Sequence, residues 1–267
     1  MSHVLRGAAL GALSLLLTAC QYEVAPDVPD ASGPFVGSVD LIWAPASYGV
    51  TASFTTPQFA PSGCPGTQTG ACCAYSQPQI DLSEGGGGVE PITVSAGTIA
   101  VDDGPQALGS FGFQGIGYTP LSSAETSSLF WNPGDSLQVL ADGGLVDPFS
   151  GSIVAPPAFA GVSPDLTLTG QIVVRLAQDL TVTWIPPVGA TASVTLELFD
   201  PTGFYVDCTA SDAAGTVTVP SAAMGSIVAD DNGYVTLVRS ASEQVQAANA
   251  SIALTAEATD PGLATFQ

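Results

Sequence analysis

Apolar and polar residues alternate in short runs along most of the chain, and these runs predict strands. Segment 179–186 reads DLTVTWIP. It sets Leu180, Val182 and Trp184 on one side and Thr181, Thr183 and Ile185 on the other, the period-2 pattern of a strand with one buried face. Segment 192–199 repeats the pattern, with Val194, Leu196 and Leu198 opposite Thr195 and Glu197. Glu197 is therefore expected on a solvated face. The same reading places strands at 216–220, 233–239 and 250–256, and in the first half at 35–44, 49–56, 92–101, 107–118, 136–141 and 150–155. Turn chemistry separates the later runs at 200–203, 212–215 and 231–233, where Asp, Pro, Asn and Gly cluster. No run sustains a 3.6-residue period. Only a single helical turn at 220–224 and a short one at 242–249 are expected.

The fold class predicted is all-β, in two sandwich lobes. Segment 155–164, APPAFAGVSP, is apolar, Pro-rich and without alternation, and it divides the chain into lobes at 35–160 and 165–260. The later lobe has the strand number and the early-strand Trp184 of an immunoglobulin-like or fibronectin-type sandwich, and resembles those modules by architecture alone. The Cys…Trp…Cys order of true immunoglobulin domains is missing. A single larger sandwich is the alternative. The first lobe carries a long connection, 57–91, holding three cysteines and the run Gly85–Gly88.

The first 20 residues belong to no lobe. Arg6 precedes an apolar run from Ala8 to Leu17, too short for a bilayer core of about 30 Å and fitting a signal peptide. The run ends Leu17-Thr18-Ala19-Cys20, which resembles the lipobox of bacterial lipoproteins. That resemblance implies cleavage before Cys20 and acylation of its thiol and new amine, with the lipid bilayer as partner. Gln21 in place of Asp implies sorting to the outer membrane. Residues 21–34, QYEVAPDVPDASGP, read as an extended tether. At about 3.1 Å per residue it reaches roughly 40 Å.

Composition narrows the function. The chain of 267 residues has 24 acidic residues, three arginines, no lysine and one histidine, for a net charge of −21. Nucleic-acid binding and polybasic membrane contact are excluded for want of cations. Loss of the signal removes His3 and Arg6, leaving Arg175 and Arg239. Both are expected in strands as members of exposed ion pairs. Without His or Lys the mature chain has no ordinary base for a nucleophilic triad, and no GxSxG or P-loop sequence occurs. Most Asp residues sit beside Gly or Pro, where turns use them. The chain is therefore read as not an enzyme, but as a structural or binding module of the cell envelope. The alternative is a carbohydrate-binding or adhesion module, with a cell-surface glycan or an envelope protein as partner.

Candidate site residues follow from residue chemistry. With Cys20 lipidated, Cys64, Cys72, Cys73 and Cys208 form an even set in an oxidising compartment. Cys64 is expected to pair with Cys72 or Cys73, and the remaining one with Cys208; a local bridge plus two free thiols is the rival. No cofactor is required. Calcium is the one left open, at Asp230, Asp231 and Asn232 or at Asp102 and Asp103, whose hard oxygens suit it. Asn232-Gly233 also reads as a hairpin turn. Trp131, at the edge of Asn132-Pro-Gly-Asp135, is the candidate sugar-stacking ring. One of Phe130 and Trp131 must face outward if the segment is extended.

Overall fold

Strands form over most of the predicted runs, though 92–101 is strand only from Ile99 and 107–118 only as far as Phe111, and two strands run on much further. The computed structural model describes residues 35–44, 47–56, 64–76, 92–123, 130–166 and 168–267. Cys20, the signal segment and the tether lie outside the described residues. The first half holds β1 (Phe35–Ala44), β2 (Ser47–Thr55), β3 (Thr67–Thr69), β4 (Cys72–Ser76), β5 (Ile99–Asp103), β6 (Gln106–Phe111), β7 (Leu121–Ser122), β8 (Ser136–Ala141) and β9 (Phe149–Val154). The second holds β10 (Gln171–Val174), β11 (Leu180–Thr183), β12 (Ser193–Phe199), β13 (Phe204–Ser211), β14 (Thr216–Val219), β15 (Asp230–Ala247) and β16 (Ala250–Phe266). The fold is all-β, and its layers pack as sandwiches.

One ten-stranded sheet runs β3-β4-β13-β12-β15-β16-β1-β2-β7, with β10 also on β16. The hairpin of β15 and β16 is its spine. β1 lies parallel to β16 from Phe35↔Ala250 to Trp43↔Ala258, and β10 lies parallel to it from Gln171↔Leu263. The interval that neither covers contains Pro261, whose nitrogen has no hydrogen to give a neighbour.

Two cores lie under this sheet. The first packs Val39, Leu41, Phe54, Ile252 and Leu254 against Ile99, Leu108, Leu137 and Ile153 of a second sheet, β6-β5-β8-β9. The second packs Leu196, Leu198, Val206, Leu237 and Phe266 against Val182 and Val217 of the pair β11-β14. Side chains are not shared out along the 35–160 and 165–260 division. The C-terminal hairpin supplies residues to both cores, and the described residues belong to one compact unit.

Four local expectations are corrected. Residues 242–249 form no helical turn, because Ser242–Ala247 pair with β16 to the hairpin end at Ala247↔Ala250. Asn232-Gly233 makes no hairpin turn. It lies inside β15 at a register shift between Asp230 and Gly233. Gly233 is required there by the Phe266 ring, which a Cβ would meet at 2.1 Å. Within 57–91, residues 67–76 form the hairpin β3-β4, and β4 docks on β13 in the other half.

Arg239 is the fourth. It is 1% exposed, not a surface residue. Its Nε lies 2.8 Å from Asp212 Oδ2, and its NH2 donates to Asp212 Oδ1 at 3.0 Å. NH1 donates to the carbonyls of Pro157 and Ala158, and the guanidinium sits 4.2 Å from the Phe159 ring centre. Trp184 Nε1 donates to Asp212 Oδ1 at 2.8 Å. The Pro-rich segment at 155–160 is thereby fastened to the spine.

Gly37 shows how tightly the first core is filled. It stands opposite Phe54, whose ring a Cβ on Gly37 would meet at 2.2 Å. Gly37→Ala is expected to lower stability by about 1–3 kcal/mol through overpacking, read as a shift of the urea midpoint at unchanged slope.

Candidate functional site

The candidate site is on the outer face of the large sheet. Along β12 and β13 the inner positions Val194, Leu196, Leu198, Val206 and Cys208 are buried, so Glu197, Phe199, Tyr205 and Asp207 project from the opposite face. Phe199 and Tyr205 face each other across the turn 200–203, and Glu197 faces Asp207. That turn is held by Asp200, whose carboxylate accepts from Thr202 N and Oγ1 (2.8 and 2.6 Å), Phe204 N (3.2 Å) and Val228 N (2.9 Å). Burial alone would raise the pKa of Asp200, but these hydrogen bonds hold it below the ordinary carboxylate value.

Register adds a ring from each neighbouring strand. Tyr75 of β4 pairs with Tyr205, and Tyr234 of β15 with Phe199. The four rings make a ladder across four strands, in the order Tyr75, Tyr205, Phe199, Tyr234. Centroid separations are 5.4, 4.7 and 6.2 Å, with planes 11°, 35° and 30° apart. Coplanar rings cannot approach as closely as 4.7–5.4 Å, so these overlap in an offset stack and cover part of one another's faces. Tyr234, at the end of the ladder, is 45% exposed.

A row of acids lies beside the rings. Tyr75 Oη donates to Asp207 Oδ2 at 2.7 Å. Burial, this hydrogen bond and the Asp207 charge push the Tyr75 phenol upward. Burial raises the pKa of Asp207, against the hydrogen bond from Tyr75. Glu197 rises from 4.5 to about 7, first through burial, then through repulsion from Asp207 and Glu257. Glu257 on β16 is raised by burial and by Asp40 on β1. Among the described residues the only ion pair is Arg239–Asp212, on the inner side of the sheet. Among the described residues the outer carboxylates have no such counter-ion.

No family model matches this chain. No curated protein matches it either. Two solved structures align with it at low similarity. One comes from work on host cell surface retention of a 1.5-MDa bacterial ice-binding adhesin, at 12% identity and TM-score 0.22, over 88% of this chain and 66% of that one. The other is a tetra-tandem repeat in the extending region of a large adhesion protein, at 13% identity and TM-score 0.23, over 84% and 49%. This chain spans less than two thirds of each.

The sequence candidates fall elsewhere. Cys64 is bonded to Cys73 and Cys72 to Cys208. The second bond closes the facing pair of β4 and β13 on the inner side. Trp131 is corrected: it is 2% exposed, with its ring 4.9 Å from Tyr48, so no sugar can stack on it. The outward ring of that pair is Phe130, 50% exposed. Asp230 Oδ1 already accepts from Asn232 N and Nδ2, at 2.7 and 2.8 Å. Asp102 and Asp103 end β5, where burial and the nearby Asp135 raise the pKa of Asp103. Among the described residues no three His, Cys, Asp or Glu side chains gather around a common point.

Glu197 is half-buried, not fully solvated as its place in the alternation suggests. The turn at 200–203 was legible, but the pairing of Phe199 with Tyr205 across it rests on the register of β12 and β13. Tyr75 and Tyr234 were not legible, because only the β4·β13 and β12·β15 registers bring them into the ladder.

A pH dependence follows from Glu197. Its folded pKa lies above its unfolded one, so the folded state holds more protons between about pH 4.5 and 7. Its contribution to stability is complete below about pH 4.5 and is lost as pH rises through about 7. Glu197→Gln is expected to flatten that part of the stability curve and to exceed the parent at pH 8 by about 1–3 kcal/mol, measured by urea unfolding across pH.

Proposed function

We propose that this chain is a non-catalytic binding module of the bacterial cell envelope. Acylated Cys20 holds it at the outer membrane, and residues 21–34 set the folded part off from the lipid. The outer face of the ten-stranded sheet is the binding surface. One observation carries this reading: four rings and a row of half-buried carboxylates lie side by side on that face, and the carboxylates have no cation of their own among the described residues. Desolvated acids beside apolar rings are unfavourable when left alone and are relieved by a partner. The mature chain, without His or Lys, supports the non-catalytic part.

The test joins anchoring to binding. The full chain is expected to incorporate labelled fatty acid and to fractionate with the outer membrane, and Cys20→Ser to lose both. Whole-envelope binding by the purified protein is expected to fall in a Tyr205→Ala/Tyr234→Ala variant of unchanged melting temperature. Full binding by that variant refutes the assignment of the face.

The second reading is carbohydrate binding, favoured by the exposed end ring Tyr234. A glycan array run with and without calcium separates it. Signal that needs Tyr234 supports a glycan ligand, and added dependence on Asp230 and Asp231 brings in calcium.

A further inference from the structure

Resting on the reading above, we infer that the partner of the ring-and-carboxylate face is a basic protein segment, whose Lys or Arg stems lie along the Tyr75–Tyr205–Phe199–Tyr234 ladder and whose charged heads meet Asp207 and Glu197. Shape and charge both lead there. Four strands about 4.8 Å apart make the ladder about 14 Å long, an elongated strip that ends at β4 in an open hollow lined by Tyr75, Asp207 and Thr209. The ring faces are partly spent on one another, which leaves edges and apolar flanks. Those suit a hydrocarbon stem better than a sugar ring, which needs an open face. The charge of the face is of one sign. Asp207 and Tyr75 flank Glu197 from β13 and β4, Glu257 approaches from β16, and Asp40 stands behind it on β1. Thr236 is the β15 residue opposite Glu197 and brings no charge. Val238, also on the outer face, is only 7% exposed. Neighbouring side chains therefore already shield the floor between the rows, and a guanidinium or ammonium seated there interacts in reduced dielectric.

Protons report on the same contact. A cation beside Glu197 favours its ionised form, so binding releases protons near neutral pH and strengthens as pH rises.

The experiment is titration calorimetry on the full chain in non-ionic detergent, at roughly 50 mM salt. The probe is an eight-residue peptide alternating Arg and Thr, with a Glu–Thr peptide and a neutral oligosaccharide as comparators. The Arg–Thr peptide is expected to bind, about three- to ten-fold more tightly at pH 8 than at pH 6, with heats that depend on buffer ionisation. Glu197→Gln/Asp207→Asn is expected to weaken it about ten-fold or more, while Asp102→Asn/Asp103→Asn on the second sheet stays within about two-fold. Tyr234→Ala, at unchanged melting temperature, is expected to weaken it as well. Equal weakening by the two acid variants means attraction by bulk charge and overturns the inference. Oligosaccharide binding through the same face, without peptide binding, overturns the inference and leaves the binding-module reading standing. No binding by any probe, with envelope binding unaffected by Tyr205→Ala/Tyr234→Ala, overturns both.

Discussion

Arg239→Met is expected to lower the stability of the folded protein by about 3–5 kcal/mol. The guanidinium is 1% exposed and has Asp212, also 1% exposed, against it. Among the described residues, removing it leaves a buried carboxylate hydrogen-bonded by Trp184 Nε1 alone, and it frees the carbonyls of Pro157 and Ala158. An uncompensated buried charge and unsatisfied acceptors are the expensive cases. Asp212→Asn is expected to be severe for the mirror reason, since it leaves the buried Arg239 guanidinium without its counter-charge. Because the two groups lose the same interaction, the double variant is expected to fall well short of the sum of the singles, with a coupling of about 1–3 kcal/mol. Urea unfolding of the four proteins closes the cycle, and strict additivity would refute a coupled pair.

That arginine also marks a limit of sequence reading. The alternation at 192–199 and 136–141 was legible because inner and outer faces differ in polarity there, and both strands form where the pattern places them. Arg239 breaks the pattern. It occupies an inner position between Leu237 and Ala241, and nothing in its own segment indicates that Asp212, 27 residues earlier, comes to meet it. Asn232-Gly233 misled for a different reason. A glycine can be required by a turn or by a ring lying on the backbone, and only the Phe266 contact tells which. The face proposed for binding was half legible. Phe199 and Glu197 lie on the strand expected at 192–199, while Tyr205 and Asp207 lie on β13, where no strand was expected. The burial that pushes Glu197 up, and the rings that complete the ladder, come from β4, β15 and β16, which no local pattern joins to the β12-β13 hairpin. Trp131 shows the converse. A turn beside a ring suggests exposure, yet Phe130 takes the outward side and Trp131 fills the core against Tyr48.

Loss of the Cys72–Cys208 bond is the other large effect expected. The two cysteines are 136 residues apart, so the cross-link removes much more freedom from the unfolded chain than Cys64–Cys73, which spans nine. The chain-entropy relation gives about 5 kcal/mol for the long loop and about 2.5 for the short one, and removal of a native disulfide commonly costs about 2–5 kcal/mol. Cys72→Ala/Cys208→Ala is therefore expected to lower the melting temperature by roughly 5–15 °C, and Cys64→Ala/Cys73→Ala by less. Position makes the ordering sharper. Cys72 and Ala74 are core residues, and the five facing pairs of β4 and β13 connect the β3-β4 hairpin to the half of the chain far from it in sequence. A second outcome has a distinct signature. If the bond serves only to hold the hairpin, hydrogen exchange in its absence accelerates over 64–76 alone, and the melting of both cores stays where it was. Accelerated exchange that extends into β13 and β12, together with the lower melting temperature, is the result expected. It follows from Cys208 and Cys72 being 0% and 2% exposed on the inner side of the sheet, where both side chains are part of the second core.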